Sequence, residues 1–372
     1  MNKVLYIILI FLFSLSVLSC SSDDTEKIKD TLVDPVADSV DTIVDPVADS
    51  VDIVVDTVAD SVDTVVDTVA DVVVVDNSGN GETTSSISYV AVGSSGTILT
   101  SDNGTTWTSR TSGTTNGLRD VIYANSKFVS VGASGTILTS DNGTTWTSMT
   151  SGTSNLLRDV IYANSKFVSV GASGTILTSD NGTTWTSMTS GTTKGLRSIA
   201  YGCTLPACTR SISTFVTVGE SGTIFTSSNG TTWTSRTSPT SKKLRGITYG
   251  SSDDPIFVAV GRTGTILTSS GNGRSWTEID SGTTTKFNGI TYGNSTYVTV
   301  GDSGTILNST DGTSWTERTS GTALGLEGVT FANSKFVSVG ASGTILTSDN
   351  GTTWTSQTTG TSNSLFEVTY KE

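Results

Sequence analysis

From residue 87 onward the hydrophobic and polar positions follow one repeating pattern. A typical unit reads Leu118-Arg-Asp-Val-Ile-Tyr123, Lys127-Phe-Val-Ser-Val-Gly132, Gly135-Thr-Ile-Leu-Thr-Ser140 and Thr144-Thr-Trp-Thr-Ser-Met149. Each segment is short, rich in β-branched and aromatic residues, and bounded by Gly, Asn, Ser or Asp, as strands joined by tight turns require. The unit therefore predicts four strands, A to D. Trp107, Trp146, Trp185, Trp233, Trp276, Trp315 and Trp354 mark seven copies at intervals of 39, 39, 48, 43, 39 and 39. Periods near 40 with four short strands each predict propeller blades, strand A lying nearest the axis.

The ends of the array give a second, independent argument. The first unit enters at Ile87 with the B-type strand Tyr89-Val-Ala-Val-Gly93 and lacks an A strand, whereas Leu365-Phe-Glu-Val-Thr-Tyr370 is an A strand with nothing after it. A ring explains both, because the last strand completes the first blade and covers edges that an open array would expose. The expected fold class is all-β: a seven-bladed propeller over residues 87–372, with insertions near 203–213 and 251–255.

At each C-to-D turn stands a motif such as Thr100-Ser-Asp102-Asn-Gly104-Thr-Thr106-Trp107, repeated at 139–146, 178–185 and 347–354. It resembles the Asp-box, Ser/Thr-x-Asp-x-Gly-x-Thr-Trp, of sialidase-type repeats, sortilin-like receptors and photosystem II assembly-factor propellers. The expected roles are structural. Asp102, Asp141, Asp180 and Asp349 accept backbone N–H groups, the glycine takes a positive φ, and Trp107, Trp146, Trp185 and Trp354 pack between sheets. Three copies depart from the motif and predict looser turns: Ser228 replaces the acid in blade 4, Ser269-Ser270-Gly271-Asn272-Gly273 adds a residue in blade 5, and Asp311 shifts the acid in blade 6.

The N-terminal pattern is different. Lys3 precedes an apolar run over 4–18, too short for a comfortable span of about 20 residues, which ends at Val17-Leu18-Ser19-Cys20. This resembles a bacterial lipobox and implies a signal peptide over 1–19, lipidation at Cys20 and attachment to a membrane through acyl chains. Ser21 resembles the outer-membrane retention pattern, and Ser21-Ser22-Asp23-Asp24 is similar to acidic surface-export signals. The expected location is the outer membrane, exposed at the cell surface. Residues 34–75 repeat every 11 positions, and Val36, Val40, Ile43, Val47, Val51, Val54 and Val58 follow the hendecad spacing of a right-handed supercoil. Pro35, Pro46, unpaired aspartates and weak helix formers argue for an extended stalk over 20–86. Its Asp-Ser/Thr-aliphatic triplets resemble O-glycosylation acceptors of Bacteroidetes.

Charge divides between these parts. The chain carries a formal net charge of −13. Residues 21–86 hold 17 acidic and 2 basic side chains, and residues 87–372 hold 17 and 18. The head is nearly neutral, so no basic face for nucleic acid is expected. Cys203 and Cys208 remain as a pair for which a disulfide is the natural reading in an oxidising compartment. With no histidine in the chain, a metal site there is a poor alternative, the His-dependent triads are excluded, and no cofactor is implied.

Sialidases with Asp-boxes need an arginine triad, a tyrosine–glutamate nucleophile pair and an acid/base aspartate, none of which stands outside the repeats. The expectation is recognition or scaffolding rather than catalysis. A sialidase-like carbohydrate-active enzyme would be favoured by acids displaced from the repeat positions and converging on the channel mouth, and none is visible; a third class is an adhesin or spacer with a glycosylated stalk. The residue after the opening apolar position of each A strand reads Arg119, Arg158, Arg197, Arg245, Asn288, Glu327 and Phe366, placing four arginines on consecutive blades. The B-to-C loops add Glu220, Arg262 and Asp302 on the same face. These residues are the candidate site for a carboxylate-bearing ligand, a glycan or an acidic protein segment, held by guanidinium forks. Asp120 and Asp159 are expected to pair with adjacent arginines.

Overall fold

The structure is a computed structural model that describes residues 87–202, 213–250, 255–270 and 272–371. Cys20, the signal, the stalk and the Cys203–Cys208 pair lie outside the described residues. The described strands form seven four-stranded antiparallel sheets. Strand B is buried along nearly its whole length, as Lys127–Gly132 illustrates, because adjacent blades cover both of its faces. This is why it reads as a continuous apolar run rather than as an alternating one. Each core cluster lies between two blades: Val90, Val92 and Ile98 of blade 1 pack on Leu118, Val121, Phe128 and Leu138 of blade 2. The core is thus seven inter-blade wedges, and each blade is held by its neighbours.

The ring closes as expected. Leu365–Tyr370 pairs antiparallel with Tyr89–Gly93, and Tyr89 faces Tyr370 with ring centroids 4.8 Å apart. Ser94 N–H also donates to Ser364 O at 2.8 Å. First and last strands therefore share one sheet.

All seven A strands contain the same irregularity. In blade 2 the register places Leu118 opposite Gly132 and Asp120 opposite Val131, so Arg119 is an extra, bulged residue. The same shift occurs at Arg158, Arg197, Arg245, Asn288, Glu327 and Phe366. A bulge breaks the two-residue alternation, so two consecutive side chains reach the same side. The polar residue in the middle of strand B answers the bulge: Ser130 Oγ donates to Asp120 O at 2.8 Å, and Ser169, Thr217, Thr299 and Ser338 make the equivalent bond. A buried hydroxyl thus meets a carbonyl at the irregular position.

The outer turns are built differently from the expectation. In blade 2, Asn142 Oδ1 accepts the N–H groups of Thr144 and Thr145 at 2.9 and 3.0 Å, while Ser140 Oγ accepts that of Gly143 at 2.8 Å. Trp146 Nε1 donates to Gly143 O at 3.0 Å. The acceptor in each of these turns is the residue after the motif aspartate: Asn103, Asn142, Asn181 and Asn350. Asp141, Asp180 and Asp349 reach Lys127, Lys166 and Lys335 from exposed positions. The assignment of the turn acceptor to the aspartates is corrected accordingly: an amide one residue further on has the reach to both N–H groups. The expected loosening also fails in two blades. Asn229 serves blade 4 unchanged, and Asp311 of blade 6 occupies the asparagine position, accepting from Thr313 and Ser314 at 2.7 Å. Those two N–H groups hold the Asp311 carboxyl well below its ordinary range, against the opposing effect of burial. Among the described residues of the blade 5 turn, Asn272 Oδ1 accepts from Arg274.

This predicts a clear contrast. Asn142→Ala should cost about 1–2 kcal/mol, the usual magnitude for losing a side-chain acceptor of backbone N–H groups. Asp141→Ala removes only an exposed ion pair and should change stability by less than about 0.5 kcal/mol. Urea unfolding of the two variants checks the contrast, and equal losses would restore the aspartate to the turn.

Candidate functional site: an arginine-lined axial channel

The D-to-A and B-to-C loops share one face. Ala133 N–H donates to Gly117 O at 2.9 Å, and a Cβ at Gly135, where φ is +67°, would fall 1.9 Å from Thr153 O. Close loop packing thus fixes the rim of the axial channel. Inside it, a cavity of about 200 Å³ is lined by Arg119, Arg158, Arg197, Arg245, Asn288, Glu327 and Phe366, the seven bulged residues. The next residue of several A strands, Asp120, Asp159, Ser198 and Glu367, lines it as well.

The four arginines do converge. Arg197 and Arg245 keep only 14% and 19% of their side-chain surface exposed. Arg197 lies 3.4 Å from Glu220, and Arg245 lies 3.4 Å from Glu327, two blades away. Arg119 lies over the Phe366 ring, 4.1 Å from its centroid, a cation–π arrangement. The Nε donors of all four are buried without an acceptor. Burial, reinforced by neighbouring guanidiniums, lowers the pKa of Arg119, Arg158 and Arg197, the last to about 10. Four guanidiniums thus face one small cavity, their charge offset in part by Glu220 and Glu327.

The rim candidates separate. Glu220 also pairs with Lys243 at 3.1 Å, and that lysine's hydrogen bond is the main reason its pKa is lowered. Asp302 accepts from Lys286 at 2.8 Å and from Asn288 Nδ2 at 3.2 Å; burial opposes, but these bonds lower its pKa. Arg262 is exposed and is not part of the cavity wall. Asn288 is 7% exposed and donates to Leu326 O at 2.8 Å, while its Oδ1 has no partner.

Asp120 and Asp159 do not pair with the arginines as expected. Asp120 accepts the N–H groups of Val121 at 2.8 Å and of Val160, in the next blade, at 2.6 Å. Asp159 accepts that of Ile199 at 2.9 Å, and Ser198 Oγ accepts that of Ile247 at 3.2 Å. Each tie carries a side chain from one blade to the backbone of the next. Burial, then the neighbouring Asp159 charge, raises the Asp120 pKa well above its ordinary value; burial raises that of Asp159 too, and the two share a hydrogen bond.

Glu367 lines the channel together with Asp120, Asp159 and Glu327. It is half-buried beside the cavity, and burial pushes its pKa to about 8. Acids do line the channel, but Asp120, Asp159 and Glu367 stand at one repeat position of the A strand, the residue after the bulge, and are not displaced from the repeat. The signal was present: in Leu118-Arg-Asp-Val121 the apolar positions are three apart instead of two, as a bulge demands. Of the four acids that line the cavity, Asp120 and Asp159 tie neighbouring blades together and Glu327 pairs with Arg245. Among the described residues, no cluster of acids and cysteines is arranged to hold a metal ion.

The raised Glu367 pKa has a consequence for stability. Folding favours its neutral form, so its contribution is full below about pH 4.5 and is lost as the pH rises through about 8. Glu367→Gln should therefore match the natural chain near pH 4.5 and exceed it by a few kcal/mol above pH 8. Thermal unfolding across pH 4.5–9 measures this; a constant difference would mean that Glu367 does not titrate there.

No protein-family model matches the sequence, and no curated protein matches it either. Solved structures do resemble the fold. A structure described as YCF48 bound to D1 peptide superposes with a TM-score of 0.51 at 16% identity, over 65% of this chain and 81% of that one. A computationally designed protein, Ika8, gives 0.53 at 14% identity, over 77% and 92%. YCF48 from Cyanidioschyzon merolae gives 0.48 at 14% identity, over 67% and 93%. Residues 87–371 form a seven-bladed β-propeller, a fold seen in natural and designed chains alike.

Proposed function

We propose that this protein is a non-catalytic recognition propeller whose axial cavity binds a carboxylate-bearing segment of a partner protein. The observation that carries this reading is the set of four adjacent arginines whose buried Nε donors lack acceptors. An anionic group entering the cavity would receive several charge-assisted hydrogen bonds at once, in a site largely stripped of water. Burial raises the pKa of Glu367 to about 8 and also raises those of Asp120 and Asp159, which lessens the negative charge lining the cavity. A propeller of similar fold with a bound peptide is consistent with a protein ligand. The lipid anchor at Cys20 and the stalk over 20–86 would hold the head away from a membrane surface, and the Asp-box resemblance belongs to the same reading.

An array of acidic peptides and acidic glycans, probed with the full chain and with an Arg197→Ala/Arg245→Ala variant, tests it. Binding to acidic peptides that disappears in the variant is the expected result. Binding confined to glycans would change the ligand class, and binding unaffected by the variant would move the site elsewhere.

A further inference from the structure

Glu367 stands apart from the other residues at its position in the ring. Asp120, Asp159 and Ser198 each use their side chains to accept a backbone N–H from the next blade. The corresponding N–H in blade 2, that of Val121, is already taken by Asp120 Oδ1 at 2.8 Å. Glu367, one methylene longer, instead accepts only its neighbour's N–H, Val368 to Oε1 at 3.1 Å. Its carboxyl is seated over Gly328 of blade 7, where a Cβ would lie 2.9 Å from both of its oxygens. A glycine at 328 is therefore needed for the carboxyl to sit where it does. Among the described residues Oε2 has no hydrogen-bond partner, and Glu367 lines the same cavity as the four arginines.

We infer that Glu367 is a further ligand-binding residue of the axial site, donating its carboxyl O–H to the anion that the arginines hold, so that anion and proton are bound together. This rests on the anion-binding reading above. A carboxylic acid can donate only while protonated, and once ionised it places a negative charge in the same cavity. Its raised pKa, about 8, makes the neutral form predominant at neutral pH. Among the charged groups of the cavity, Asp159 disfavours its ionised form, while the axial guanidiniums favour it. Phe366 on its own strand is uncharged, and Asp120 and Asp159 add repulsion if they ionise. Glu327 of blade 7 pairs with Arg245.

Sulfate is the probe, because its charge does not change between pH 6 and 9. Its affinity for the full chain is measured by calorimetry at constant ionic strength. The expected Kd is flat from pH 6 to 7.5 and rises by up to about tenfold per pH unit above 8, as linkage to a single proton requires. In the Glu367→Gln variant, which keeps the size and can still donate, Kd should stay within about twofold over the same range. A second measurement needs no variant: at pH 8, titrations in buffers of different ionisation enthalpy should show roughly half a proton taken up per sulfate, as expected at the pKa of the group. Parallel pH dependence in both proteins, pH-independent binding in the natural chain, or no proton uptake would each overturn the inference. Failure of sulfate to bind at any pH would remove the anion-binding reading itself, and this inference with it.

Discussion

A chain ending at Asn363 is expected to lose its cooperative unfolding transition altogether. The missing strand, Leu365–Tyr370, contributes Leu365, which is fully buried, and Val368, which is 2% exposed. Burying two such side chains is worth about 3–6 kcal/mol. The strand also supplies every backbone partner on one edge of Tyr89–Gly93. Its removal uncovers the wedge between blades 7 and 1, where Val337, Val339 and Ile345 pack on Ala91 and Leu99. Because each blade is stabilised by its neighbours, opening the ring at one wedge weakens both flanking blades. The combined loss is comparable with the whole stability of a typical domain, about 5–15 kcal/mol. Thermal unfolding by circular dichroism, with limited proteolysis, measures it. A truncated chain melting sharply within a few degrees of the full one would mean that ring closure contributes little.

The second large effect falls on binding and spares the fold. Arg197→Ala/Arg245→Ala should weaken anion binding by about 10²–10⁴-fold, given about 1.5–3 kcal/mol per charge-assisted hydrogen bond and tenfold per 1.4 kcal/mol. The stability of the variant should stay within about 1 kcal/mol of the natural chain. Both guanidiniums bury an unmatched donor, and their ion pairs, at 3.4 Å, are long. Arg110, whose Nε donates to Thr100 Oγ1 at 2.9 Å on the outer strand, supplies the control. Arg110→Ala should leave binding unchanged. Equal loss in the control, or a large loss of stability in the double variant, would show that the axial arginines support the fold instead of the ligand.

The architecture was readable because a propeller is periodic. Seven tryptophans and a stranded A strand at the C-terminus together imply both blade number and closure. The arginine ring was equally legible, since aligning one position of the A strand across blades suffices to find it. The second ring is harder to read, because two-residue alternation would send the neighbour of each arginine to the opposite side of the strand. A bulge places Asp120 and Glu367 in the channel, and the serine and threonine in the middle of strand B are its sequence trace. In the outer turn, Asp141 and Asn142 are adjacent and chemically alike, so composition alone did not decide which accepts the N–H groups. Geometry decides for the asparagine. That Asp120 and Asp159 tie blades together instead of neutralising arginines also depends on the approach of the next blade's backbone, which no local pattern encodes.

The most direct measurement is a crystal structure of the protein soaked in selenate, with anomalous data collected at the selenium edge. The arginine ring predicts an anomalous peak on the propeller axis, within hydrogen-bonding distance of the Arg158 and Arg197 guanidiniums and beside the Glu367 carboxyl. An empty axial cavity, with selenate only at surface lysines, would contradict it.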